Sequence, residues 1–451
     1  MAVFEVVVQI LLFLLPLVVG AKYGPMALIG ASGLSVFIMV EVMRLVPGQP
    51  PISAIFIVLA VISATAAMTA AGGMAWLVQK AESALRKHPG RIPLVGPLLV
   101  WLFAIMSGTG NITFALVPVL YEVSYGAKIR PERVLATANA VSQLALMASP
   151  VAAVTYVFIN LTETDGNTLG KTLAVTVPAS LIATVLASLV MSRYGKELDD
   201  DPEYQRRLAA GEIAPPAPTS ASGEPVELRP RAAWSVYFFL AGVVIGCVLG
   251  LFQRLRPTYP KLLPDGTYAD VAVSMSFMIP IVMFAVTGAI MIFCRLKTAA
   301  VISEPIIGTG LIAALLLLAV PVLAGTILNA HMEAVTSFVG SAIGVTVMLF
   351  ALLLFLLASL IQSQVASLTI LVPAAAAAGL GAGPMTGMLG AASGNNLLAS
   401  MGGLGQACIM TDKTGSTKQG SILINGSFLV PMLLCSGFAI AIGLGLQLLV
   451  Y

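Results

Sequence analysis

The chain alternates long apolar runs with short polar breaks. Runs of about 20 residues or more lie near 3–20, 24–43, 52–78, 93–126, 134–160 and 170–192. After a polar interruption at 193–231 they resume near 233–252, 270–294, 302–328, 340–383, 385–410 and 420–450. Such runs, without period-2 alternation, predict membrane-spanning α-helices and not the strands of an outer-membrane barrel. The interruption carries charges and the segment Pro215-Pro216-Ala217-Pro218. It is too polar to span and is expected to be a cytoplasmic linker poorly suited to packing. The first run has Glu5 as its only charge and lacks a basic n-region, so it is expected to be a retained span and not a signal peptide.

Composition narrows the function. Of 451 residues, 58% are hydrophobic and 10% charged, against about 25% charged in a soluble domain. Soluble enzymes, nucleic-acid binders and disordered scaffolds are excluded, so no nucleic-acid partner is expected and the bilayer is. Cys247, Cys294, Cys408 and Cys435 lie in or beside apolar runs and read as small core residues. The two histidines, His88 and His331, are far apart, so no metal site is expected. The runs hold no paired Asp, Ser/His dyad or HExxH helix, so an intramembrane enzyme is not indicated.

Charge sets the topology. Lys80, Arg86, Lys87 and Arg91 precede run 93–126, and Lys128, Arg130 and Arg133 follow it. Both ends then belong on the cytoplasmic side, and the run reads as a re-entrant hairpin turning at Ser107-Gly108-Thr109-Gly110-Asn111. Run 340–383 is its counterpart, with Gln362-Ser363-Gln364 in the middle. Under this plan only Arg44, Lys171, Arg254, Arg256 and Lys261 fall outside, the other eighteen Lys and Arg fall inside, and both termini are periplasmic. Trp76, Trp101 and Trp234 are expected to be interfacial anchors.

The halves match. Leu116-Val117-Pro118 recurs as Leu371-Val372-Pro373, 255 residues later. Each half has three spans, a hairpin and two spans, and the halves start from opposite sides. The expected fold is an all-α polytopic membrane protein with about ten transmembrane helices and two re-entrant hairpins in two inverted repeats. The repeats are residues 1–192 and 232–451, joined by the linker 193–231. That is a secondary-transporter plan.

Such transporters bind substrate near the midplane, where broken helices expose backbone groups. Four polar, glycine-bearing stretches fall there: Ser107 to Thr113; Asn139 to Pro150, with Ser142 and Gln143; Gln362 to Thr369; and Ser393 to Gly405. Small and hydroxyl residues also let helices pack closely in lipid. Four such stretches at equivalent places in two halves favour a site. The candidate substrate-binding residues are Gly108, Thr109, Gly110, Asn111, Ser149, Pro150, Ser363, Gln364, Ser393, Gly394, Asn395 and Asn396. The stretches contain no Lys, Arg, Asp or Glu. An anion would be held by helix N-termini, backbone N–H groups, hydroxyls and amides. A cationic substrate or a carboxylate proton relay is disfavoured. A coupling Na⁺ could be coordinated by oxygens near Thr109, Asn111, Ser363 and Asn395.

A resemblance then emerges from motifs in order along the chain. They are Gly20-Ala21-Lys22-Tyr23-Gly24, Pro47-Gly48-Gln49-Pro50-Pro51, Ala71-Gly72-Gly73 and Gly108-Thr109-Gly110 with Pro118. Ile129-Arg130-Pro131-Glu132-Arg133, Ala148-Ser149-Pro150-Val151, Ala330-His331-Met332 and Ser363-Gln364 follow. Asp412-Lys413-Thr414-Gly415-Ser416-Thr417 and Ile424-Asn425-Gly426-Ser427-Phe428 with Pro431 complete the set. The chain resembles the anaerobic C4-dicarboxylate transporters, the Dcu family of bacterial inner-membrane carriers. The resemblance implies the inverted hairpin-repeat plan of the ion-transporter superfamily, an elevator mechanism and a dimeric scaffold. It also implies exchange or uptake of fumarate, malate, succinate or aspartate, with Na⁺ or H⁺ as coupling ion and no other cofactor. Two stretches depart from the family pattern. Asn395 to Gly405 replaces a segment rich in Tyr and Pro with an acidic residue, and Asn111 stands where a histidine is common. The alternative is the same fold carrying a different small carboxylate or amino acid.

Overall fold

Across most of the described residues of the apolar runs, the backbone is helical. In a computed structural model of the chain, the described residues are 3–23, 25–50, 52–87, 89–110, 112–216, 229–262, 268–331 apart from seven single positions, 347–361, 363–396, 403–419 and 426–451. Among them, three helical segments are long and apolar enough to cross a membrane: Pro89–Ser107, Leu169–Met191 and Leu429–Val450. Two helix pairs reach that length only across a bend: Ile55–Ala70 with Gly73–Lys87 at 74°, and Pro131–Ala148 with Ala153–Thr162 at 43°. Shorter apolar helices include Ile112–Gly126, Met348–Ser359 and Gln364–Ala377. Thr258–Leu262 and Tyr268–Ala272 pair as an antiparallel β-hairpin, with Tyr259 opposite Val271.

The expected run 52–78 is thus split. Gly72 takes φ +86°, and a Cβ on Gly73 would sit 2.4 Å from Ser235 Oγ, so the two glycines turn the chain tightly against the helix Ala232–Leu251. Beyond the bend, Gly73–Lys87 buries Leu77 and Leu85 and exposes Lys80. That mixed pattern ends the apolar run.

The last helices of the halves, Leu169–Met191 and Leu429–Val450, pack against each other. They run antiparallel. At one end Tyr451 donates its hydroxyl hydrogen to Asn167 Oδ1, and Lys171 Nζ lies 5.1 Å from the Tyr451 ring centre. At the other end Arg133 Nε donates to the Tyr194 carbonyl while Ser427 Oγ donates to Glu132. Both helices bury small residues: Thr176, Ala179, Ser180, Ala183 and Ala187 on one, and on the other Ser436, Ala439 and Gly443, which meet Ser393, Gly390 and Gly387. Lipid offers no hydrophobic drive between helices, so close backbone approach through small residues supplies the contact. The large apolar side chains Ile182, Leu189, Leu433 and Leu448 stay exposed, as lipid-facing residues do.

The described part of the linker packs, contrary to the sequence expectation. Asp201 Oδ1 accepts from the N–H groups of Glu203 and Tyr204 and starts the helix Pro202–Ala209. Tyr204 is buried and meets the edge of Tyr125 at 6.2 Å. Asp201 also pairs with Arg130 at 2.7 Å, and Arg130 pairs with Glu132 at 2.6 Å, all three nearly inaccessible. Two well-placed side chains are enough to dock a polar segment. The same joint includes Asp412, whose carboxylate accepts from Thr414, Ser416 and Thr417. Residues 217–228 lie outside the described residues.

Trp101 also differs from expectation. It turns inward and donates to Ser180 Oγ at 3.0 Å, so it is a packing residue and not an interfacial anchor.

Candidate functional site

The first hairpin turns because of one glycine. The helix Ile92–Ser107 ends where Gly108 takes φ +67° and donates its N–H to the Ala104 carbonyl. Ile112–Gly126 then packs back along it. Ser107 Oγ donates to the Thr109 carbonyl, and the Thr113 N–H to the Gly110 carbonyl, which fixes the tip. Asn111 lies outside the described residues.

This tip sits on a break in the next helix. Pro131–Leu144 continues as a 3₁₀ turn to Ala148, loses helical form, and restarts at Ala153. The Ser149 hydroxyl donates to the Ile105 carbonyl at 2.7 Å, and the Pro150 carbonyl accepts from Tyr156 Oη at 2.6 Å. A Cβ on Gly108 would lie 3.0 Å from the Val151 backbone, and one on Gly110 only 2.7 Å from Gln143 Nε2. At Gly108 the neighbour is main chain and leaves no room for a side chain, whereas at Gly110 it is the end of the Gln143 side chain.

The second half repeats the arrangement with altered chemistry. Ser363 caps the helix Gln364–Ala377, its hydroxyl oxygen accepting from the Ala366 N–H at 3.2 Å. Gln364 Nε2 donates to the Gln143 carbonyl at 2.9 Å. The second hairpin tip thus reaches the break of the first half. Gly394, in the segment after the second hairpin, packs against Phe355 and Ser359 on that hairpin's first arm, and Ser359 Oγ donates to the Gly394 carbonyl at 3.0 Å. Ser393 Oγ turns the other way, to Ser436 Oγ at 2.7 Å. Asn395 and Asn396 close the 3₁₀ segment Leu389–Asn396, which packs against both Pro131–Leu144 and Met348–Ile361.

Gln143 is therefore the meeting point. Gly110 approaches it from one hairpin and Gln364 from the other, while Ser149 and Gly394 hold the hairpin arms. The sequence placed Gln143 within a polar stretch but did not single it out. Its only signal was an amide beside Ser142 in an apolar helix. Thr113, fully buried one turn past the first tip, has no hydrogen-bond partner for its hydroxyl among the described residues.

Depth and charge complete the picture. Gln143 lies twelve residues beyond Pro131, roughly 18 Å along a helix at 1.5 Å per residue. Pro131 sits beside the buried Arg130–Glu132–Asp201 joint, so the meeting point lies about 18 Å from that joint. The helices Ile112–Gly126 and Gln364–Ala377 both begin there. Their N-terminal partial charges favour an anion. The ends of Ile92–Ser107, Met348–Ile361 and Pro131–Leu144 bring carbonyl oxygens, which suit a small cation. Two small cavities lie nearby, one lined in part by Met147, Thr176 and Gly387, the other by Met106 and Ser107; neither lining includes Gly110, Gln143 or Gln364.

Comparison with known proteins agrees over nearly the whole chain. Residues 5–451 match the family described as anaerobic C4-dicarboxylate membrane transporter. The C4-dicarboxylate transporter DcuA of Helicobacter pylori strain J99 is 31% identical over 442 residues, covering 96% of this chain and 97% of its own. The C4-dicarboxylate transporter DcuA of Escherichia coli K12 is 30% identical over 441 residues, covering 97% and 98%. Among solved structures, the Alcanivorax borkumensis YdaH transporter superposes with a TM-score of 0.51 at 15% identity, over 94% of this chain and 97% of that one. That last likeness is one of fold.

Proposed function

The chain belongs to the anaerobic C4-dicarboxylate membrane transporter family, and from that premise we propose that it is a secondary active carrier of C4-dicarboxylates: fumarate, malate, succinate and aspartate. The family is one of transporters, so the chain is read as a carrier and not an enzyme. The observation that carries the reading is the convergence of both hairpin tips on Gln143. Two helix N-termini meet there without any Lys or Arg, a setting that suits a molecule with two carboxylates. The site residues are Thr109, Gly110, Gln143, Ser363 and Gln364, with Gly108, Asn111, Ser149, Pro150, Ser393, Gly394, Asn395 and Asn396 around them.

The mechanism follows from the plan. The antiparallel pairing of Leu169–Met191 with Leu429–Val450 supports two inverted repeats, about ten spans and two hairpins. The hairpins and broken helices move together as an elevator domain against a dimeric scaffold. Carbonyl ends at the site coordinate Na⁺, or H⁺ serves as coupling ion instead. The protein sits in the bacterial inner membrane with both termini periplasmic.

Counterflow tests the proposal. Proteoliposomes are loaded with unlabelled succinate and given trace labelled succinate outside, with and without Na⁺. Transient accumulation blocked by fumarate, malate or aspartate is the expected result. Accumulation blocked only by other carboxylates or amino acids would move the substrate to the alternative class. None with any of them would refute the carrier.

A further inference from the structure

Away from the site, rings and cations gather where several helices end. Trp76, Tyr237, Trp234, Phe293 and Phe238 form a chain of edge and tilted contacts, each with centroids 5.3–5.9 Å from the next. Lys80 Nζ lies 5.5 Å from the centre of Trp76, and the Arg231 guanidinium 5.1 Å from that of Phe293. Arg229 donates to the Ala70 carbonyl and Arg231 to the Phe293 carbonyl, the last residues of their helices. Arg295 and Lys297 follow at once on the same edge.

Three features go beyond helix capping. First, among the described residues no carboxylate lies within 4.0 Å of Lys80, Arg229, Arg231, Arg295 or Lys297. Glu304 is felt by Arg229, and Glu82 is taken by Arg86. Second, Arg231 and Arg295 adopt φ +73° and +53°, a left-handed backbone that glycine takes at lower cost. A cation is held where the backbone favours glycine. Third, the rings remain half exposed, with Trp234 at 52% and Tyr237 at 51%, and a bare apolar strip of Ile281, Phe284 and Ile292 leads along the helix Met275–Phe293 from them.

We infer that this edge is a binding site for an anionic phospholipid, whose headgroup phosphate meets Arg231, Arg295, Lys297 and Lys80 while its acyl chain lies on Ile292, Phe284 and Ile281. Charge complementarity selects the headgroup. The aromatic belt sets the depth, because such rings prefer the membrane–water boundary. The apolar strip separates a lipid from a free phosphate, which has no use for it. The site stands apart from the hairpin tips and does not depend on the transport reading.

The protein has three tryptophans, two of which, Trp76 and Trp234, lie in this edge. The test is quenching of tryptophan fluorescence in detergent by phosphatidylglycerol or phosphatidylcholine with brominated acyl chains. Phosphatidylglycerol should quench at lower mole fraction. The triple variant Lys80→Gln, Arg295→Gln, Lys297→Gln should need on the order of a hundredfold more of it, at about tenfold or less per charge. Their side chains make no capping hydrogen bond among the described residues, and melting of the variant checks its folding. Should it not fold, wild-type protein still decides between the two lipids. Equal quenching by both lipids would overturn the inference. Displacement by millimolar inorganic phosphate would also overturn it, making the edge a simple anion site. So would a spontaneous disulfide-linked dimer of Ile292→Cys, which would make the strip an interface between copies.

Discussion

Gln364 of the second hairpin donates its side-chain N–H to the main-chain carbonyl of Gln143, 221 residues earlier, at 2.9 Å. The bond joins the halves at the break of Pro131–Leu144, a point that Gly110 also approaches. A buried carbonyl stripped of its donor costs about 1–3 kcal/mol. Gln364→Ala should therefore raise KM for succinate roughly tenfold or more, with normal abundance in the membrane. Gln143→Ala, which keeps the carbonyl but removes the amide, should do the same. Unchanged kinetics in both would remove this pair from the site.

Glycines divide by what surrounds them. Gly108 has φ +67°, and a Cβ added there would meet the Val151 backbone at 3.0 Å, whereas one added at Gly30 would meet nothing within 4 Å. Gly108→Ala should cost about 1–2 kcal/mol from the backbone alone, plus a shift of the tip. Gly30→Ala should be neutral or slightly stabilising. Melting of the purified variants compares them; similar behaviour would mean that the tip is not fixed as described.

The docked linker gives a third expectation. Asp201 both caps Pro202–Ala209 and pairs with buried Arg130. Asp201→Ala should destabilise by about 3 kcal/mol, the range for breaking a buried pair. Glu212→Ala removes an exposed partner of Arg206 and should cost about 0.5 kcal/mol or less. Equal effects would show that the joint contributes nothing beyond surface pairing.

The same helix has a pH signature. Hydrogen bonds from Arg206 and Arg207 hold the Glu203 carboxyl down to about 2, against an ordinary 4.5. A depressed carboxyl stabilises the folded form above its unfolded value, and that contribution is lost as pH falls through the folded one. Hydrogen-exchange protection of Pro202–Ala209 should be equal at neutral pH and at about pH 5.5, then decline from about 4.5 toward 2. In Glu203→Gln the component of decline due to this carboxyl should vanish; an identical profile would assign the change to other groups.

Much of the architecture was legible because lipid imposes it. Most described apolar runs became helices, and one helix ends at Gly108 while another starts at Ser363, inside the polar stretches the sequence marks. The split at Gly72 was not legible, because run 52–78 stays apolar across it and only a close neighbour, Ser235, reveals why glycine is needed. Trp101 read as an anchor because indole favours interfaces, yet a partner hydroxyl on Ser180 holds it inside. The linker read as loose because composition does not disclose a single buried Tyr204 or a pairing of Asp201 with distant Arg130. At the site, residue types indicated polar breaks, but only geometry brings Gln364 to Gln143 and turns Ser393 toward Ser436.

The most direct measurement is equilibrium binding of labelled succinate to purified protein, wild type against Gly110→Val. A Cβ at position 110 falls 2.7 Å from the end of the Gln143 side chain, which can swing aside, and 3.4 Å from the Ser142 main-chain carbonyl, which cannot, so the added methyl groups of valine press the tip off the break. Wild type should bind saturably and release label to fumarate, malate or aspartate, while a folded Gly110→Val binds none. Equal binding by the folded variant would contradict the claim that the hairpin tips and Gln143 form the dicarboxylate site.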